Sequence, residues 1–149
     1  MQFLFNLKRN FFHTFQEMFV YHHNSLNFRA KVFALLIAAD ENPSVENFII
    51  VKNYGLEVYN DEKRAMLLML ATKEYVQKVK DDNGLYLDTL VVHIQKELQD
   101  VPRYANKIDL EALKPLLELP KDKDTRAYQK NIMEFLAKLK EETLERNSE

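Results

Sequence analysis

The sequence predicts an all-α protein, a compact single-domain bundle of about seven helices. Three observations lead there. Two glycines and four prolines among 149 residues leave little material for hairpins or flexible linkers. Leu, Lys, Glu and Ala are plentiful, and these side chains lose little on entering a helix. No stretch alternates apolar and polar residues over a useful strand length, whereas several repeat apolar residues every three and four positions. A chain of this length buries a sizeable core without cross-links, and the absence of cysteine removes disulfides, thiolate metal sites and thiol chemistry together.

Breakers divide residues 1–149 into about seven helical stretches within one domain. The first runs from about residue 2 to residue 21 and stops in "HHNS". The second spans about residues 26–39, until "DENPS" interrupts it at Pro43. Ser44 is a suitable N-cap for the third, and Gly55 stands where a C-terminal cap is expected. Asn60 or Asp61 opens the fourth, which carries Ala65, Leu68, Met69, Thr72 and Val76 on one side and ends at "DDNG". The fifth is the cleanest, because Leu87, Leu90, Val91, Ile94 and Leu98 share one helical face. Pro102 lies just beyond its end. Asp109 caps a short sixth, "LEALKPLLEL", which Pro115 should kink or terminate. Asp124 or Thr125 opens the last, with a stripe of Tyr128, Ile132, Phe135, Leu136 and Leu139, and the charged tail of residues 141–149 should fray.

The first stretch, "FLFNLKRNFFHTFQEMF", holds six of the ten phenylalanines. On a helix Leu4, Phe5, Leu7, Phe11, Phe12, Phe15, Met18 and Phe19 fall within an arc of about 160°, opposite Asn6, Asn10, His13 and Glu17. Lys8 lands inside the apolar arc and must snorkel or lie at its rim. Five phenylalanines at about 150 Å² each would expose roughly 750 Å², more than a monomer usually shows. Something must cover them: the rest of the domain, a second copy or partner protein, or a membrane surface. The polar face has few basic residues, which disfavours the membrane. The arc is therefore expected to form a core wall that doubles as a partner surface, with Phe5, Lys8, Phe12 and Phe19 as the residues a partner reaches.

A net charge of −2 is too small to steer the chain toward nucleic acid. Its distribution is uneven. Residues 1–33 carry Lys8, Arg9, Arg29 and Lys31 against Glu17 alone, and residues 34–62 carry six carboxylates against Lys52 alone. Such runs are most often solvated faces. No secretory pattern is present, and the longest apolar run, "VFALLIAA", has eight residues where a membrane span needs about 20. A cytoplasmic protein is expected.

Chemistry is sparsely signalled. His13, His22, His23 and His93 are the only groups suited to acid–base work near neutrality. His13 and Glu17 lie one turn apart but lack a third ligand at helical spacing. "KDDNGLYLD" fails as a calcium loop, because with Gly84 at the sixth place the first and twelfth ligands would be Val79 and Leu90. There is no phosphate loop, no G-x-S-x-G and no H-E-x-x-H. No cofactor is implied. An enzyme using His13 or His93 with a carboxylate is the weakest of three functional readings.

The stretch "LLIAADENPSVENFIIVKNYGLEV" carries an apolar helix into Ala-Ala-Asp, crosses a polar turn and starts a new helix beside an acidic residue. This resembles the repeated unit of the TerB-like (tellurite-resistance) helical family, in which an "A-A-D-G" turn followed by a Glu joins two helices. Asp40 matches the turn aspartate and Glu46 the following acid, while Glu41 stands where the family prefers glycine and Pro43 enters the turn. A second acidic turn corresponds to "DDNGLYLD", with Asp82 and Asp88 in the matching places. The resemblance implies a compact helical domain linked to stress responses, with Asp40 and Glu46 as metal-site residues. The leading reading of the whole chain is a non-enzymatic helical module that binds a protein partner or itself. A divalent-cation-binding module of the TerB-like kind is the alternative.

Overall fold

A computed structural model describes residues 24–83 and 85–148. Its centre is α1 (Asn24–Ile37), in which Leu26, Phe28, Ala30 and every residue from Val32 to Ile37 are buried. A helix apolar on all sides must be surrounded. Here α3 (Glu62–Asp81), α4 (Leu85–Asp100), α6 (Lys123–Ser148) and a 3-10 helix at Pro102–Lys107 all pack on it. The remaining elements are α2 (Val45–Tyr59), which pairs with α3, and the short α5 (Leu110–Leu113), which runs into a second 3-10 helix at Lys114–Glu118. The described residues form one all-α bundle around a single core, with no strand among them.

Two charged residues on α1 are buried against expectation. Lys31 pairs with Glu97 of α4 at 3.1 Å, and Arg29, only 9 % exposed, lies over the rings of Tyr54 and Tyr59 of α2. They belong to the packing and not to a solvated basic face.

The helix ends follow local chemistry with some substitutions of role. Ser44 occupies the N-cap position of α2 but makes no side-chain cap. Instead Asn47 reaches back and donates its amide to the Ser44 carbonyl at 3.0 Å. Gly55 does not end α2. The helix continues to Tyr59 and stops at Asn60, whose left-handed backbone (φ 51°) returns its N–H to the Leu56 carbonyl. Asparagine tolerates that conformation better than most residues. Gly55 is instead a buried contact point with α3.

Asp61 caps α3 by accepting from the Lys63 N–H, and Thr72 ties its hydroxyl to the Leu68 carbonyl inside the core. The predicted α4 face is the observed one, with Leu90, Ile94 and Leu98 buried and Leu87 and Val91 packed beside them. Pro102 does more than end α4. It opens the first 3-10 helix, which buries Tyr104 and Ala105. Asp109 caps α5 through the Ala112 N–H, and Pro115 converts the following turn to 3-10 geometry.

Asp122, rather than Asp124 or Thr125, opens α6 by accepting from both the Thr125 N–H and hydroxyl. On α6 the buried face is Gln129, Leu136, Leu139 and Thr143, while Tyr128 is exposed. Gln129 donates to the Leu36 carbonyl at 3.1 Å, a second bond to an oxygen near the end of α1 that also accepts from the Ala39 N–H, and so ties α6 to α1. The charged tail, expected to fray, remains helical to Ser148. Thr143 is buried there, and Lys140 donates to the Ile108 carbonyl at 2.8 Å, which anchors the last turns.

Candidate functional site

After α1 the chain turns through Ala39 and Asp40, whose N–H groups close 3-10 turns onto Leu36 and Ile37. The Asp40 carboxylate accepts from the Asn42 N–H at 3.0 Å, the local bond by which an aspartate shapes a turn. Glu46 lies one turn further, exposed in the first turn of α2, where the helix dipole favours an acid.

A shallow cleft of about 330 Å³ opens where this turn meets the end of α3. Ala38, Pro43, Val76 and Val79 supply apolar walls, and Asp40, Glu41, Lys80 and Asn83 add polar groups. The two acidic turns singled out in the sequence therefore share one end of the bundle, through Asp40 on one side and Asn83 on the other. Glu46 is not among the residues lining the cleft. Among the described residues no three His, Asp or Glu side chains are grouped closely enough to hold a metal ion.

If Asp40 only shapes its turn, asparagine preserves the bond, and Asp40→Asn should shift stability by no more than about 0.5 kcal/mol. Thermal melts with and without millimolar calcium check this. A bound ion at a hundredfold excess over its Kd would instead raise wild-type stability by about 2.7 kcal/mol and leave the variant unmoved.

A second surface was not anticipated. On α2, Val45 is 73 %, Ile49 50 % and Leu56 38 % exposed. At 100° per residue they fall within about 40° of one another, on a stripe interrupted only by Lys52. The buried residues of the same helix, Asn47, Val51 and Gly55, form a different stripe that faces the bundle. The spacing of Val45, Ile49 and Leu56 is legible in the sequence. Which of the two stripes faces the core is not.

Phe5, Lys8, Phe12 and Phe19, the residues expected to meet a partner, lie outside the described residues, as do His13, His22 and His23. His93 is exposed on α4. No described helix is long and apolar enough to cross a membrane. Comparison of the chain with protein-family models, curated proteins and solved structures returns no match.

Proposed function

We propose that this chain is a non-enzymatic helical module that binds another protein through the outer face of α2. The observation that carries the reading is the exposed stripe of Val45, Ile49 and Leu56, an apolar helix face with no covering element among the described residues. An amphipathic helix of a partner suits such a face, with anchors at the same three-and-four spacing. Glu46 and the turn carboxylates give the stripe an acidic end, which favours a partner with basic residues at its rim.

Ile49→Asp is the test. The side chain is half exposed, so the fold should survive, with circular dichroism and the melting midpoint close to wild type. Burying an isoleucine contributes about 1.5–3 kcal/mol, so its loss should weaken association at least about tenfold. Sedimentation of the purified chain reads self-association, and capture from native lysate reads a partner. A variant that associates as tightly as wild type in both removes this face from the function.

The TerB-like, cation-binding reading is kept as a second proposal. It is supported by the cleft that brings the Asp40 turn and the Asn83 turn together. The calcium melts described above decide it.

A further inference from the structure

We propose that Arg29, Arg103 and Lys107, with the Tyr59 hydroxyl, form a binding site for the phosphate group of a small soluble molecule. Arg29 carries the first part of the argument. Its guanidinium carbon lies 5.3 Å from the centre of the Tyr59 ring and 6.0 Å from that of Tyr54, so two aromatic faces hold a charge that is nine-tenths buried. Ring faces offset some of the cost of burying a cation, but they accept no N–H hydrogen bond of ordinary strength. Among the described residues the Arg29 Nε has no hydrogen-bond partner though buried, and neither does the buried hydroxyl of Tyr59, whose ring lies against the guanidinium. Two buried polar groups, each able to donate, are thus left unserved in one cage. Native proteins seldom leave such groups unpaired without a functional reason or a bound molecule.

Charge supplies the second part. The 3-10 helix from Pro102 to Lys107 packs on α1, where the Tyr104 ring meets that of Phe28, so Arg103 and Lys107 stand on the side of the bundle that holds Arg29, Arg103 exposed and Lys107 half-buried. Burial lowers the Lys107 pKa, and the neighbouring Arg29 and Arg103 charges lower it further. Among the described residues no carboxylate lies within ion-pair distance of any of the three. The nearest acid in the sequence, Asp109, acts on the Tyr54 phenol beside Arg29 but lies outside ion-pair distance of all three cations. Its carboxylate caps α5 and, after burial, is among the influences that raise the Tyr54 phenol to about 12, against the opposing pull of Arg29.

Three cations, of which Arg29 and Arg103 each act on Lys107, and two donors unpaired among the described residues call for an acceptor with several oxygens and more than one negative charge. A phosphate monoester has three such oxygens and carries about −1.5 to −2 near neutrality, where a carboxylate carries −1. The planar guanidinium and the ammonium are the two groups that proteins most often set against it. The cage lies on the α1–α2–3-10 side and shares no residue with the exposed α2 stripe, so the proposal stands apart from the protein-binding reading.

Titration calorimetry of the full chain with inorganic phosphate, and separately with glycerol 3-phosphate, tests it at constant ionic strength set with sodium chloride. Saturable binding tighter than about 1 mM is expected for at least one probe. Arg29 is too deeply packed to serve as the deciding variant. The exposed Arg103 and half-buried Lys107 serve instead, and Arg103→Gln with Lys107→Gln should weaken binding at least about tenfold while leaving the melting midpoint without phosphate near wild type. Tyr59→Phe should weaken binding several-fold and leave phosphate-free stability unchanged or slightly raised, because it removes a hydroxyl that has no partner among the described residues. The proposal fails if neither probe binds saturably. It fails equally if the double variant binds as wild type does, or if added chloride alone reproduces the heat.

Discussion

Replacing Gly55 by leucine is expected to cost about 3 kcal/mol or more and to leave little of the folded state. Gly55 sits in the middle of α2, where glycine is about 1 kcal/mol worse than alanine on propensity alone. It is tolerated there because α2 and α3 approach closely at this point. A Cβ on residue 55 would stand 2.8 Å from the Ala65 Cα and 3.0 Å from the Ala65 Cβ, with the Leu68 Cδ2 at 3.4 Å. The first of these is backbone and cannot swing aside. Alanine at 55 would therefore gain up to about 1 kcal/mol in helix propensity and lose about 1–3 kcal/mol to overpacking, for a small net loss. Leucine adds three more carbons to the same gap.

Urea midpoints of the two variants read the difference. Ala65→Gly should recover part of the loss in Gly55→Ala, because the two residues meet directly, and the coupling measures how tightly the helices touch. A leucine variant as stable as wild type would show that α2 stands further from α3 than the structure has it.

That close approach also explains why Gly55 reads wrongly in the sequence. A glycine near the end of an apolar stretch is compatible with a left-handed cap and with a helix crossing, and local sequence does not separate them. Here Asn60, five residues on, takes the left-handed role. The elements that do read correctly are those whose signal is local: the α4 face of Leu90, Ile94 and Leu98, the Asp61 and Asp109 caps, and the break at Pro115.

Arg29 and Lys31 were not legible as buried residues, because the groups that cover them come from far along the chain. Glu97 lies 66 residues after Lys31, and Tyr54 and Tyr59 belong to the next helix. The exposed α2 stripe poses the same difficulty in reverse. Val45, Ile49 and Leu56 look like a core face until α3 is seen to take the opposite side of the helix. Asp40 and Glu46 stand out in the sequence as acids beside a turn. Local spacing shows that Asp40 shapes that turn, but not that Val76 and Val79 wall a cleft beside it.

Phe28→Ala is the second large effect expected, and it tests whether α1 is the centre of the fold. Phe28 is fully buried, and its ring packs against that of Tyr104 with centroids 5.2 Å apart. Truncating a buried phenylalanine typically costs about 3–5 kcal/mol, out of the roughly 5–15 kcal/mol that holds a domain together. In a protein of this size that is a fall in melting temperature of roughly 10 °C or more. Phe28→Leu keeps most of the buried volume and should cost clearly less. The damage should also be directional. Tyr104 fixes the first 3-10 helix to α1, so losing its ring partner should speed amide hydrogen exchange across residues 102–108 before the rest of the core opens. α3 pairs with α2 as well as with α1, and its Ala71 and Thr72 amides should stay protected longer. An alanine variant that loses less than about 1 kcal/mol, or that exchanges evenly along the chain, would mean that Phe28 is peripheral and that α1 does not organise the bundle.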